Sequence, residues 1–373
     1  MNPIAHADAW LLKLPLERPY RLSFGPVAEL DTLLVRVTLD DGAVGWGEAT
    51  LLTGYTDETI GETWAGAAEL LDVLGTGRSG SPDAWQRLER RLDALDASRP
   101  FLTTAFRTAA EMAAGSPLLR PSADGGPVRV PILGLLQGDS PARLSDEAEA
   151  LLEAGYTTLK LKVGFDAARD ADTVAAAQRA LAGRGQLRLD ANQGYDVAAA
   201  CEFVSRVDPG GIELFEQPCA AADWAAHLEV ARLAAARGLP TMLDESIYTL
   251  SEIERAASLR AADFIKVKLM KFSSLARLDA ALARIRELGM EPVLGNGVAT
   301  ELSCWMEACV AARRVRNAGE MNGFLKPRER LFERPLRVRG GAIELDDELP
   351  RIDGARLDRL ALARRSAWPA GVR

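Results

Sequence analysis

Thr158-Leu159-Lys160-Leu161-Lys162-Val163-Gly164 sets two lysines two positions apart on a short strand, hence on one face, and gives the other face to Leu159, Leu161 and Val163. Two ammonium groups on an inward face are costly unless something uses them. Three later apolar runs end in acid: Leu189-Asp190-Ala191-Asn192, Phe215-Glu216-Gln217-Pro218 and Leu243-Asp244-Glu245-Ser246. A second lysine strand follows in Phe264-Ile265-Lys266-Val267-Lys268-Leu269-Met270-Lys271. From Lys162 the steps to Asp190, Glu216, Asp244 and Lys268 are 28, 26, 28 and 24 residues, each close to one strand–helix unit. Five consecutive strands therefore carry charge at one level, which in a parallel barrel is the C-terminal mouth where such enzymes keep their sites.

Outward from this block the same pace continues. Strands are expected near 128–136, 158–163, 187–191, 212–215, 241–243, 264–269 and 292–294, with an eighth near 322–325, and amphipathic segments such as 142–154 and 221–236 lie between them. Strand, helix, strand at this spacing predicts an α/β chain, a (β/α)7β TIM-like barrel over 126–329. The first 50 residues read differently. Apolar runs at 9–14, 32–39 and 44–49, the latter two joined by Asp40-Asp41-Gly42, predict an antiparallel meander. Helical periods follow at 59–74, 82–95 and 100–114, the second with Trp85, Leu88, Leu92 and Leu95 on one face. The Pro/Ser/Gly-rich 116–127 reads as a linker, and the alternating 336–345 as strands packing back on the first unit. An α+β capping domain is thus expected over 1–125, completed by 330–373.

Composition narrows the chemistry. There are two histidines, His6 and His227, far apart in sequence, so a multi-His zinc site or an imidazole general base is disfavoured. Cys201, Cys219, Cys304 and Cys309 show no CxxC spacing and sit among small apolar residues, as buried reduced thiols do. With a net charge of −8 and no basic stripe, neither nucleic acid nor an anionic membrane is an expected partner. No apolar run reaches the ~18 residues of a membrane span, and a cytoplasmic homo-oligomer acting on a small-molecule carboxylate is the default expectation.

Acid–base work then falls to carboxylates and lysines. Asp190, Glu216 and Asp244, converging from neighbouring strands, repel one another unless a cation sits among them, and oxygen donors alone select Mg²⁺ or Mn²⁺. Lys162 and Lys268 would flank that cation on opposite sides, an arrangement for moving a proton on either face of a bound carboxylate. An α-proton is too weakly acidic for an unaided amine, so the enediolate requires metal charge as it forms. A free lysine near pKa ~10.4 is mostly protonated at neutral pH; Lys160 and the metal beside Lys162 would lower that value and free an amine base.

Lys-x-Lys, Asp-x-Asn, Glu-Gln-Pro, Asp-Glu-Ser and Lys-Leu-Met-Lys, in this order and spacing, resemble the enolase superfamily, and within it the muconate lactonizing enzyme subgroup with its dipeptide epimerases and o-succinylbenzoate synthases. The resemblance extends to Asp41-Gly42, Gly45-Trp46-Gly47-Glu48-Ala49 and Tyr55-Thr56-Asp57-Glu58-Thr59, which are similar to that family's capping domain. It implies Asp190, Glu216 and Asp244 as Mg²⁺ ligands, Lys162 and Lys268 as the acid/base pair, and Lys160 as a residue that tunes Lys162 and touches the substrate carboxylate. Asn192 and Glu245 would support these from behind, and loops around 22–27 and 51–56 would close over the site. Two segments depart from the pattern: Phe272-Ser273-Ser274 replaces a Gly-Gly pair, and Glu320-Met321-Asn322 stands where dipeptide epimerases carry an Asp-x-Asp that grips the substrate ammonium. The second departure argues against an α-amino dipeptide.

Each residue also has a plain structural reading. A lone strand-end Asp caps the following helix as readily as it binds a metal; Glu216 before Gln-Pro suits a surface turn; Lys160 with Lys162 suits an edge strand. Lys266 and Lys271 are expected to be structural or to touch substrate only, Asn296 between two glycines to be a turn residue, and both histidines to be non-catalytic. The function expected is a Mg²⁺-dependent racemase/epimerase or cycloisomerase. The alternatives are a syn-dehydratase of the o-succinylbenzoate synthase type, a Schiff-base barrel lyase using Lys268 or Lys162, and a non-catalytic binding protein. The absence of histidine after His227 disfavours the superfamily branch that uses a late His–Asp dyad.

Overall fold

Asp40-Asp41-Gly42 turns the chain as its sequence demands: Gly42 takes φ +86° and the Asp41 carboxylate accepts the Ala43 N–H at 3.0 Å. The computed structural model describes residues 2–22, 25–52, 56–75, 83–122 and 126–367. Strands β1 (Ile4–Leu22), β2 (Gly25–Leu39) and β3 (Val44–Leu51) form the expected meander, longer than the apolar runs alone suggested. Helices α1 (Ile60–Gly75), α2 (Asp83–Leu95) and α3 (Pro100–Ala113) supply their apolar faces to a core with Leu33, Val35 and Val37. In α2, Trp85, Leu88 and Leu92 are buried on the predicted face, with Leu95 partly so.

Beyond a 3-10 turn at Pro117–Leu119 come β4 (Val128–Pro131) and β5 (Gly134–Leu136). The alternation then runs α4 (Pro141–Glu153), β6 (Thr158–Lys162), α5 (Ala167–Leu181), β7 (Gln186–Asp190), α6 (Val197–Arg206), β8 (Ile212–Glu216), α7 (Trp224–Ala236), β9 (Thr241–Leu243) and α8 (Leu250–Leu259). It ends with β10 (Phe264–Val267), α9 (Leu269–Phe272), α10 (Leu275–Glu287), β11 (Glu291–Leu294) and α11 (Glu301–Arg314). Strands β5 to β11 form one seven-stranded sheet in sequence order, every pair parallel.

Three expectations change. The run at 128–136 is two strands, because Pro131 has no N–H to donate and the chain crosses there from one sheet to another. The eighth strand at 322–325 is a 3-10 turn, Gly323–Leu325. The closing role falls just upstream, where Gly319 N–H donates to Pro131 and the Gly319 carbonyl receives Leu133 N–H, both at 2.9 Å, while Glu320 N–H donates to Leu294 at 3.0 Å. The edges β5 and β11 thus meet through this segment. The tail divides: β12 (Arg337–Arg339) and β13 (Ala342–Leu345) form a sheet with β4, and only β14 (Ala361–Ala367), after α12 (Gly354–Leu360), returns to β1. Among the described residues no helix is long and apolar enough to cross a membrane.

Candidate active site

Helix capping is handled by dedicated residues. Asp196 accepts Ala199 N–H at 2.8 Å to start α6, and Glu252 accepts Thr249 N–H at 2.8 Å at the start of α8. Asp190 and Asp244, which end the strands before those helices, are therefore not their caps. Nor is Glu216 a surface turn residue or Lys160 an edge lysine: Asp190 and Glu216 are 1% exposed, Asp244 and Lys160 2%. Lys162 pairs in register with Asp190 across β6 and β7, and Asp190 with Glu216 across β7 and β8, so these groups come to one level by strand geometry.

The two Lys-x-Lys strands flank the carboxylates almost symmetrically. The deeper lysines bridge: Lys160 Nζ lies 2.7 Å from Asp190 Oδ2 and 2.9 Å from both Glu216 Oε2 and Glu320 Oε2. Lys266 Nζ lies 3.0 Å from Glu216 Oε1 and 3.4 Å from Asp244 Oδ2, and it also donates to Glu320 Oε2. The outer lysines each take one acid: Lys162 reaches Asp190 Oδ2 at 2.6 Å and the Asn192 side-chain oxygen, Lys268 reaches Asp244 Oδ2 at 2.8 Å. Both line a cleft of ≈ 80 Å³ with Leu52, Asn192, Asn296 and Val298. A larger groove of ≈ 280 Å³ around Glu149, Tyr156 and Arg184 is at the opposite strand ends and gathers no comparable set of acids and lysines.

Charge and burial compete throughout. Burial works against the Lys160 ammonium, but Asp190, Glu216 and Glu320 hold it well above the usual lysine range. Lys268 is likewise raised, burial being outweighed by Asp244. Asp190 is lowered to about 2: burial opposes this, and Lys160, Lys162 and Lys266 overcome it. Glu216, between two other acids, is pushed up by burial and by Asp190 to about 7. Burial brings Lys271 down to about 8, against the pull of Asp244, whose Oδ1 it meets at 2.8 Å.

Asn192 takes φ +41° and joins the site from both ends: its N–H donates to Asp190 Oδ1 and its amide to Glu245 Oε1, each at 2.9 Å. Gln217, at φ +39°, accepts Asp244 N–H at 2.9 Å and donates to Ser246 Oγ at 2.8 Å, which ties the ends of β8 and β9 together. His227, 2% exposed, packs its Nε2 3.2 Å from both Gln217 Nε2 and Ser246 Oγ; it is a buttress. Glu301 accepts Phe332 and Leu336 N–H groups and is structural. Asn296 is the expected turn residue, its side chain bonded to Val298 N–H and C=O, yet it also faces the cleft. Ser273 takes the left-handed conformation, φ +61°, that favours glycine. Lys266, Lys271, Gln217 and Glu320 were not among the residues picked from sequence for the site; the Lys-x-Lys repeated at 266 and 268 was the available signal for the first. Residues 23–24 and 53–55, within the loops expected to close over the site, lie outside the described residues.

Three buried carboxylates with no imidazole or thiolate suit a hard divalent cation by their chemistry. With ammonium groups wedged among them, no three potential ligand side chains among the described residues stand close enough to hold an ion.

The chain matches a family model described as enolase C-terminal domain-like over residues 143–350. It is 31% identical over 356 residues to muconate cycloisomerase 1-2 of Acinetobacter lwoffii, covering 92% of this chain and 90% of that protein. To the L-Ala-D/L-Glu epimerase of Bacillus subtilis (strain 168) it is 28% identical over 308 residues, 81% and 83% of the two chains. The crystal structure of the N-succinyl Arg/Lys racemase from Bacillus cereus ATCC 14579 shares the fold, with a TM-score of 0.85 at 23% identity over 98% of this chain and 100% of that one. A family model that spans more than half of the chain, and a likeness to the cycloisomerase that runs nearly end to end, establish that it belongs to the enolase superfamily, in the mandelate racemase and muconate lactonizing enzyme subgroup.

Proposed function

We propose that the protein is an isomerase, a racemase/epimerase or a cycloisomerase, that moves the proton α to a carboxylate between Lys162 and Lys268. The observation that carries this reading is the pair of outer lysines lining one cleft, each hydrogen-bonded to a different acid of the triad. Asp190, Glu216 and Asp244 would hold Mg²⁺, or Mn²⁺ in its place. When bound, the cation supplies positive charge that offsets the negative charge developing on the substrate carboxylate.

The chain's own residues account for the rest. Lys268, raised by Asp244, enters the cycle as the ammonium; Lys162, with its side chain 43% exposed and lining the same cleft from β6, is the partner within reach of the substrate's other face. Lys160 stays charged and fixes Asp190 and Glu216, while Asn192 and Glu245 hold the outer rim. Glu320 is engaged by Lys160 and Lys266, so it is poorly placed to grip a substrate ammonium. This favours a substrate whose nitrogen is acylated or absent over a dipeptide with a free amine. In the same reading the capping domain is 1–125 completed by 330–373, and the catalytic barrel is 126–329.

Solvent-deuterium incorporation into a small library of N-acyl amino acids, dipeptides and muconates, with Mg²⁺ present and mass spectrometry as the readout, tests the proposal. Exchange is expected with at least one α-substituted carboxylate. Lys162→Ala and Lys268→Ala should each lower turnover by roughly 10³-fold or more, each abolishing exchange of a different antipode, with circular dichroism unchanged. No exchange with any member of the library refutes the assignment.

A further inference from the structure

Lys266 has no place in the proton transfer, yet it stands in the middle of the carboxylates. It is 3% exposed, and its ammonium bridges Glu216 and Asp244 while also donating to Glu320. Lys160 bridges Asp190 and Glu216 on the other flank. Between them the two ammonium groups engage one oxygen of Asp190, both of Glu216 and one of Asp244, which are the oxygens a cation held by these three acids would draw on. A divalent ion would bring two further positive charges to acids that Lys160 and Lys266 already pair from either flank, and like charges crowded in a buried site repel. One ammonium must give way, and Lys266 has somewhere to go: Glu320 lies outside the triad and already accepts from it.

We infer that Lys266 is a tethered counter-cation of the triad. It competes with a divalent metal for Glu216 and Asp244, the metal enters as the ammonium withdraws onto Glu320, and the site is in consequence a weak metal binder. The inference rests on the assignment of the triad above.

The test is Mn²⁺ binding at one pH and ionic strength, read from the electron paramagnetic resonance signal of the free ion, for the wild type, Lys266→Met and the double variant Lys266→Met/Glu320→Gln. Methionine keeps the volume of the lysine stem without its charge. Both variants are expected to bind Mn²⁺ at least tenfold more tightly than the wild type. The double variant removes one charge of each sign, so tighter binding there cannot come from net charge, and it decides the matter if the single variant fails to fold. Affinity in the variants equal to or weaker than that of the wild type overturns the inference while leaving the triad assignment in place. Absence of Mn²⁺ binding by all three proteins overturns the assignment itself, and the inference with it.

Discussion

Glu307 on α11 is wholly buried, accepts the Leu269 N–H at 2.8 Å just beyond Lys268, and has no hydrogen-bond partner among the described residues for its other oxygen. Burial pushes its carboxyl up to about 7. The folded chain therefore keeps a proton that an unfolded glutamate, at the ordinary 4.5, releases. Stability from this group is complete below the unfolded value and is lost as pH rises through about 7. Glu307→Gln keeps an acceptor for Leu269 and removes the titration. Urea unfolding at pH 5 and pH 8 should show the wild type losing on the order of 2–3 kcal/mol more than the variant; parallel pH profiles would refute this. At this scale the sequence was legible where chemistry and strand alternation coincide. Asp190, Glu216, Asp244, Lys162 and Lys268 sit at strand ends one unit apart, and all five meet. Lys266 and Glu320 were not legible as partners, because their meeting depends on the relative depth of segments 54 positions apart, which no local pattern encodes.

Among the elements, β3 and α3 show how backbone contact rather than side-chain packing can set a sequence. A Cβ at Gly47 would lie 2.0 Å from the Ala105 carbonyl and 2.4 Å from Thr108 Oγ1, and one at Gly45 2.0 Å from the Ala109 carbonyl. The helix rests directly on the strand, so Gly47→Ala must push them apart. A loss of about 3 kcal/mol is expected in chemical unfolding. Gly61, exposed in the first turn of α1 with open space where a methyl would go, is the control: Gly61→Ala should be neutral or stabilise by up to about 1 kcal/mol. Similar losses at both positions would show that the close approach does not govern. The helices and the strands from β6 to β11 were legible to within a few residues, since periodicity and caps are local, whereas β1 and β2 run well beyond the apolar stretches that marked them. The partners of β4, β12 and β13 were not, because alternation says that a strand has a buried face without saying against what.

For the whole molecule, the question is how the N-terminal layer is fixed over the barrel. Two of its carboxylates do work that local caps usually do. Glu48 on β3, 1% exposed, accepts Thr300 N–H at 2.7 Å and Ser303 N–H at 3.3 Å, and so sits at the N-terminus of α11; Glu111 on α3 accepts Leu275 and Ala276 N–H at 2.7 and 3.0 Å at the start of α10. Both accept donors that a helix N-terminus leaves unpaired, in the favourable orientation of its dipole. The Glu48 contact adjoins the cleft along the chain, since Thr300 comes two residues after the Gly297–Val298 wall. Glu48→Ala leaves buried N–H groups without an acceptor, at a cost of about 2–4 kcal/mol. If the contact joins the two layers, amide exchange should rise on both sides of it, in 44–51 and in 300–303, while β7 at the far side of the barrel keeps its protection. The cleft wall should loosen with it, raising KM more than it lowers kcat, because Lys162 and Lys268 are held by barrel acids that the change does not touch. Exchange that rises only in 44–51 would mean that the barrel helix starts without help from the layer above it, and that the two parts are joined elsewhere.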